Sequence, residues 1–73
     1  MLDFPGRLKA LRKSKGITQK VLSIFLEMHE RAYQMYEYGT REPNHATTAK
    51  LAAYFGVSVD YLLGLTDNPE RNL

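Results

Sequence analysis

The chain has 73 residues, no cysteine, a formal net charge of +2 and a hydrophobic fraction of 44%. This length provides for one small domain with little room for the deep pocket of an enzyme, so we expect no catalytic activity. Without cysteine there are no disulfides or thiolate metal sites, which fits a cytoplasmic location. No apolar run approaches the ~18 residues that span a bilayer, so no membrane association is expected.

Helix signals recur along the chain, and strand signals are nearly absent. Capping residues, glycines and apolar residues at helical spacing predict an all-α protein of five short helices. The predicted helices run from an Asp3 cap to Gly16 and then over 19–26, 30–38, 46–55 and 59–63. The domain is therefore predicted over 1–65, and the polar residues 66–73 form a tail.

The positive charge is concentrated near the front of the chain. Six basic residues and no acidic residue lie between positions 7 and 20, namely Arg7, Lys9, Arg12, Lys13, Lys15 and Lys20. Such a block favours either a surface that faces phosphates or an ordinary solvated helix face. Charge alone does not separate these two interpretations.

Only about three residues, Glu27-Met28-His29, separate the second and third helices, which is typical of a helix-turn-helix. The chain resembles the Cro/repressor-type helix-turn-helix family, also called the XRE family, over about residues 4–65. The segments that carry the resemblance are RLKALR at 7–12, GITQ at 16–19, EYGTREP at 37–43 and LAAYFGVSVDYLLG at 51–64. The resemblance implies a five-helix bundle of the phage-repressor type. It also implies a transcriptional regulator that reads the major groove of double-stranded DNA with its third helix. We expect this regulator to be a repressor.

A helical wheel divides the third helix into two faces, as a recognition helix requires. One face holds Ala32, Tyr33, Tyr36 and Glu37, and the other holds Glu30, Arg31, Gln34, Met35 and Tyr38. On the second face, Arg31 suits guanine, Gln34 suits adenine and Glu30 suits cytosine. The candidate base-contacting residues are His29, Glu30, Arg31, Gln34 and Met35. Taken without the resemblance, the same division also fits an ordinary amphipathic surface helix.

Candidate phosphate contacts flank the third helix. They are Thr18, Gln19, Tyr38, Thr40, Arg41 and Asn44. Thr18 and Gln19 open the second helix, where free backbone N–H groups favour an anion. For Thr18 and Asn44, capping a helix is the alternative role. The resemblance implies that Gln19 bonds phosphate and can also brace the recognition helix.

Arg12 and Glu37 match family positions that form a partly buried ion pair between the first and third helices. The resemblance thus implies a structural role for both residues. Arginine suits this position because its planar guanidinium meets a carboxylate with two hydrogen bonds.

Four positions in the turn and the third helix depart from the family pattern. Glu27 stands where glycine is usual, so the backbone there is either strained at positive φ or built differently. His29 replaces the usual Ser or Thr cap, and we expect it to face DNA. Tyr33 and Tyr36 occupy aliphatic core positions. We expect their rings in the core with exposed tips, and phosphate contact is the alternative for one of them.

The second helix has more apolar residues than its core face needs. Val21, Ile24 and Phe25 widen its apolar arc to about 200°, and such a surplus is a candidate partner surface. The alternative is that Phe25 tucks against a neighbouring helix and only Ile24 is exposed. If this surface dominates, the chain is a protein-interaction module or an antitoxin.

A single domain of this size makes few base contacts, so we expect a homodimer on an operator. The expected dimer contact includes Val57, Val59 and Tyr61. We expect no metal and no cofactor, because His29 and His45 are 16 residues apart without a cluster of other ligands.

Overall fold

In the computed structural model, which describes residues 3–71, the chain is a bundle of five α-helices. In chain order they are α1 (Phe4–Ser14), α2 (Gln19–Phe25), α3 (Glu30–Tyr38), α4 (His45–Phe55) and α5 (Val59–Leu62). The predicted all-α class is confirmed, and α3 has the bounds that the sequence predicts. The helices α1, α2 and α5 end one or two residues earlier than predicted because their last residues belong to the cap, and α4 begins one residue earlier, at His45.

Side-chain caps start four of the helices. Asp3, Thr18, Asn44 and Ser58 each accept a hydrogen bond from the backbone N–H three residues later. The exception is His29 at the start of α3, which makes no capping hydrogen bond, as expected for a weak cap. Glu30 lies in the first turn of α3, where a carboxylate complements the helix dipole.

Each of the five described helices is followed by a residue with positive φ, and only α2 uses a residue other than glycine there. That residue is Glu27, with φ 57°. Its N–H donates to the carbonyl of Ile24 at 3.0 Å, and the N–H of Met28 donates to the carbonyl of Ser23 at 3.0 Å. These two bonds define a Schellman motif, which normally places glycine at this position. The turn of the helix-turn-helix therefore holds a left-handed glutamate.

All five helices contribute to one core. The five largest fully buried side chains among residues 3–71 come one from each helix, namely Leu8, Leu22, Tyr33, Leu51 and Leu62. Burying one large apolar side chain contributes roughly 1.5–3 kcal/mol to folding. Because α2 and α3 each present such a residue to the same core, their relative placement is fixed by packing and by the short turn together.

The segment after α5 lies against the domain. The backbone N–H of Ser58 donates to the carbonyl of Pro69 at 3.0 Å, and Arg7 Nη2 lies 3.3 Å from Asp67 Oδ1. Residues 67 and 69, which belong to the predicted tail, are thus in contact with the helical domain. Residues 1, 2, 72 and 73, which belong to the predicted domain and tail, lie outside the described residues.

Between residues 3 and 71, none of the helices combines the length and the apolar character needed to span a bilayer.

Candidate nucleic-acid interface

The two faces of α3 separate in the structure as the helical wheel predicts. Tyr33, Tyr36 and Glu37 are buried, with Ala32 half-buried beside them. The opposite face is exposed at Glu30, Arg31, Met35 and Tyr38 and half-buried at Gln34. The helix therefore offers a row of polar and long side chains to the outside while its other side is fixed in the core.

Arg12 and Glu37 form a two-point ion pair between α1 and α3. Arg12 Nε donates to Glu37 Oε2 at 2.7 Å, and Arg12 Nη2 donates to Glu37 Oε1 at 3.2 Å. The Arg12 Nη1 atom also donates to the carbonyl of Ile17 at 3.0 Å. The side chains are 12% and 2% exposed, respectively, so solvent screens this pair weakly.

Two further donors reach the same carboxylate. Tyr33 Oη donates to Glu37 Oε2 at 2.6 Å, and Gln19 Nε2 donates to Glu37 Oε1 at 3.2 Å. The expectation that the tip of Tyr33 is exposed is therefore wrong, because its hydroxyl has a charged acceptor inside the protein. Tyr36 is also buried, at 4% exposed, with its ring edge-on to that of Tyr33.

The ionisation of this cluster follows from burial and hydrogen bonding. Burial raises the pKa of Glu37, but the hydrogen bonds from Arg12, Tyr33 and Gln19 outweigh it, and the pKa lies below its ordinary value. The hydrogen bond to Glu37 raises the pKa of Arg12 against the opposing effect of burial. Burial, together with the bond to the Glu37 carboxylate, raises the pKa of the Tyr33 phenol. The cluster is thus a carboxylate held by one cation and two neutral donors.

The cluster is linked to the exposed face of α3 through one more hydrogen bond. Gln34 Nε2 donates to Gln19 Oε1 at 3.1 Å. Gln19 is therefore in contact with both the buried ion pair and a candidate base-contacting residue. The resemblance implies that Gln19 can brace the recognition helix, but it does not indicate Gln34 as the partner, because the two glutamines are 15 residues apart and meet only when α2 packs on α3.

The candidate phosphate contacts lie on both sides of α3. Thr18 accepts a hydrogen bond from the N–H of Val21 at 3.1 Å, and Asn44 accepts one from the N–H of Thr47 at 2.8 Å. Both therefore act as helix caps. Thr40 and Arg41 are exposed in the loop after α3, where Thr40 Oγ1 donates to the carbonyl of Met35 at 3.4 Å.

The basic block divides into two largely buried arginines and four exposed lysines. Arg7 and Arg12 are held by Asp67 and Glu37. The remaining four members are exposed, namely Lys9, Lys13, Lys15 and Lys20. The surface charge of the block is therefore carried by lysines.

A helix-turn-helix family model matches residues 8–62, which is most of the chain and includes the turn, the hydrogen-bonded cluster and both helices that it joins. The chain belongs to the helix-turn-helix family. The resemblance that residues 7–12, 16–19, 37–43 and 51–64 carry is thereby confirmed.

This helix-turn-helix protein is similar to several curated regulators of Bacillus subtilis (strain 168). It is 43% identical over 60 residues to the SPbeta prophage-derived uncharacterized HTH-type transcriptional regulator YonR, covering 82% of this chain and 56% of that protein. It is 40% identical over 60 residues to the uncharacterized HTH-type transcriptional regulator YqaE, covering 82% and 52%. It is 36% identical over 66 residues to the HTH-type transcriptional regulator ImmR, covering 90% and 52%. The chain thus spans about half the length of these relatives.

The apolar residues of α2 form an exposed surface on this helix-turn-helix protein. Val21, Ile24 and Phe25 are 43%, 65% and 41% exposed. Phe25 packs against Tyr54 of α4 with ring centroids 4.7 Å apart, so it does tuck against a neighbouring helix. The alternative that leaves only Ile24 exposed is nevertheless wrong, because all three residues retain a large exposed fraction.

The expected dimer contact needs one correction. Val57 is 6% exposed and lies in the core, so it has almost no surface to offer a second copy. Val59 remains 39% exposed, and Tyr61 is half-buried.

The Arg7 guanidinium lies over the Tyr61 ring at 3.9 Å from its centroid. The sequence places Arg7 on the same helix face as Phe4 and Leu11, a signal that predicts its burial.

Proposed function

We propose that this helix-turn-helix protein is a sequence-specific, double-stranded DNA-binding transcriptional regulator, and a repressor, whose α3 enters the major groove. The observation that carries the proposal is the two-faced α3, which anchors Tyr33 and Glu37 in the core and leaves Glu30 and Arg31 exposed. A helix of this kind fits the major groove and can bring side chains to base edges. The names of YonR, YqaE and ImmR as transcriptional regulators support the same function.

The exposed face of α3 supplies the chemistry for reading bases. Arg31 can donate two hydrogen bonds to guanine, Gln34 can pair with the edge of adenine, and Glu30 can accept from cytosine. Each well-formed pair discriminates against a wrong base by roughly 1–3 kcal/mol. His29 and Met35 border this row and complete the proposed base-contacting set.

Phosphate contacts would hold α3 in register without reading sequence. We assign this role to Arg41 and to the residues at helix ends and in the loop, namely Thr18, Gln19, Tyr38, Thr40 and Asn44. The exposed lysines of the basic block add a positive field that attracts the DNA backbone. A homodimer with contacts around Val59 and Tyr61 would place two α3 helices about 34 Å apart, one turn of the duplex.

Selection of bound sites from random double-stranded DNA, followed by affinity measurements at two salt concentrations, tests the proposal. We expect a recurring sequence with two related half-sites. We also expect the logarithm of affinity to fall with the logarithm of salt concentration at about −0.9 per neutralised phosphate. Equal binding to every sequence would contradict a sequence-specific regulator. Activity of a reporter gene placed behind the selected site then distinguishes a repressor from an activator.

A second function is favoured by the exposed apolar residues of α2. Val21, Ile24 and Phe25 lie together on one helix, and contiguous apolar surface of this kind often binds a protein partner. In that case the chain is an interaction module, or an antitoxin that binds both a partner and DNA. The absence of DNA binding even at about 50 mM salt, where phosphate contacts are strong, would favour the interaction module.

A further inference from the structure

The carboxylate of Glu37 has no acceptor position to spare. A carboxylate offers about four lone-pair directions. Oε2 accepts from Arg12 Nε and Tyr33 Oη, and Oε1 accepts from Arg12 Nη2 and Gln19 Nε2. With four donors in place, the carboxylate plane is fixed relative to α1, α2 and α3 at once.

A fixed carboxylate also decides the direction of the Gln19 amide. An ionised carboxylate only accepts hydrogen bonds, so Gln19 must turn its NH₂ group toward Glu37 and its oxygen away. That oxygen accepts from Gln34 Nε2 at 3.1 Å. Gln34 therefore donates to Gln19, and Gln19 in turn donates to Glu37.

This order leaves Gln34 with a defined pair of free groups. One of its two amide protons is used on Gln19, so one N–H donor and the Oε1 acceptor remain. In the major groove, adenine presents an acceptor at N7 and a donor at N6. One free donor and one free acceptor on the same amide are the complement of that edge.

We infer that Tyr33 and Glu37 are positioning residues which set the amide direction of Gln34 and thereby determine its preference for adenine at one base pair. The inference rests on the proposed function, because it assumes that Gln34 faces DNA. Tyr33 acts by holding the Glu37 carboxylate in place. Without its hydroxyl, the carboxylate is held only by Arg12 and Gln19, and its plane can tilt about the Arg12 ion pair, which loosens the hydrogen bond from Gln19. Without the charge of Glu37, an amide at position 37 can face Gln19 with either its oxygen or its nitrogen.

The first experiment examines the free protein. In ¹⁵N-labelled wild type, we expect the side-chain NH₂ signals of Gln34 to be shifted from random-coil values and to show contacts with the Gln19 side chain. Tyr33→Phe and Glu37→Gln should both return the Gln34 signals toward random-coil values. Tyr36→Phe is the matched control, since it removes a hydroxyl from the neighbouring buried tyrosine of the same helix, outside the cluster. The Gln34 signals of Tyr36→Phe should match those of wild type.

The second experiment measures base preference by selection from random DNA. Gln34→Ala identifies the base pair that Gln34 reads as the position where preference disappears. At that position we expect wild type to prefer adenine by about tenfold, as one good amide–adenine pair allows. Tyr33→Phe should reduce this preference to below about threefold and leave the other positions unchanged. Tyr36→Phe should keep the wild-type pattern.

Three results would overturn the inference, and they differ in what else they affect. If wild type selects a sequence and Tyr33→Phe selects the same one with equal preference, the inference fails while the proposed function stands. If Gln34 signals are the same in wild type, Tyr33→Phe and Glu37→Gln, the coupling through Gln19 is absent. If wild type selects no sequence, the proposed function fails, and the adenine preference with it.

Discussion

Arg12 Nε donates a hydrogen bond to Glu37 Oε2 across 2.7 Å, and this contact joins the first helix to the third. Both side chains are largely removed from water, at 12% and 2% exposed. A buried ion pair of this kind contributes to stability mainly through what its loss leaves behind, an uncompensated charge in a poorly solvated place. The pair therefore controls how firmly α3 is held.

We expect Glu37→Ala to lower the free energy of unfolding by about 3 kcal/mol, since Arg12 and Tyr33 both lose their acceptor. For a domain of this size, such a loss corresponds to a fall in Tm of more than about 10 °C. Urea and thermal denaturation measure it. Glu42→Ala, at an exposed position in the loop after α3, is the control and should change Tm little. An unchanged Tm in Glu37→Ala would show that the pair has no structural role.

The lowered pKa of Glu37 predicts how stability depends on pH. A carboxylate whose pKa is lower in the folded state stabilises the fold above its unfolded value of 4.5, and this contribution is lost as pH falls through the folded value. We therefore expect the free energy of unfolding of wild type to decrease from about pH 5 toward pH 3. Glu37→Gln should start lower at pH 7 and decrease less steeply in that range. Parallel curves for the two proteins would contradict the assignment.

The left-handed backbone of Glu27 predicts a stabilising substitution. Residues with a Cβ atom are disfavoured at positive φ by roughly 1–2 kcal/mol, and glycine is not. We expect Glu27→Gly to raise the free energy of unfolding by about 1 kcal/mol in urea denaturation. Glu27→Ala removes the same carboxylate but keeps the Cβ atom, so it should give no such gain. Equal stabilisation by both variants would assign the effect to charge rather than to backbone strain.

Two arginines should separate base reading from backbone contact. We expect Arg31→Ala to relax the preference for guanine at one position, at a cost of roughly 1–3 kcal/mol for the preferred site. Arg41→Ala should weaken binding to all sequences alike and reduce the salt slope by about 1. Titrations of the selected site and a scrambled site, each at two salt concentrations, provide both measurements. If Arg41→Ala changed the selected sequence instead, its assignment to phosphate would be wrong.

Arg7 and Asp67 should contribute unequally, although they face each other at 3.3 Å. The Asp67 side chain is 75% exposed, so we expect Asp67→Ala to cost less than about 1 kcal/mol. Arg7 is 7% exposed and covers the Tyr61 ring, so Arg7→Ala removes packing and should cost about 2 kcal/mol or more. Thermal denaturation of the two variants compares these losses directly. Similar losses would indicate that the ion pair with Asp67, rather than the packing of Arg7 on the Tyr61 ring, provides the stabilisation.

Local chemistry explains why the helices and the division of α3 can be predicted from sequence. Caps such as Thr18 and terminal glycines such as Gly39 act within one turn, and the wheel of α3 depends only on helical spacing. The contact between Tyr33 and Glu37 also follows from helical spacing, since residues four apart on a helix are neighbours. The family pattern predicts only that the ring of Tyr33 lies in the core and assigns no partner to its hydroxyl.

Other features depend on how separate helices pack, and spacing along the chain does not reveal them. The link between Gln19 and Gln34 needs the relative position of α2 and α3 to within an ångström or so. Val57 lies in the core. Its burial cannot be predicted from periodicity, because it follows the end of a helix and belongs to no helix or strand. The contact of Ser58 with Pro69 likewise arises from a segment whose composition resembles a free tail.

The arrangement of the first turn of α3 bears on how the DNA sequence preference of the protein could be changed by mutation. Glu30 and Arg31 are exposed and take no part in the cluster around Glu37, whereas Gln34 is tied to it through Gln19. If α3 reads bases as proposed, mutations at 30 and 31 would change the recognised site at little cost to the scaffold, because the Glu30 carboxylate at the helix N-terminus contributes only about 0.3–1 kcal/mol. Changes at 34 would require compensating changes at 19. Libraries for new specificities should randomise positions 30 and 31 independently and vary Gln19 and Gln34 together.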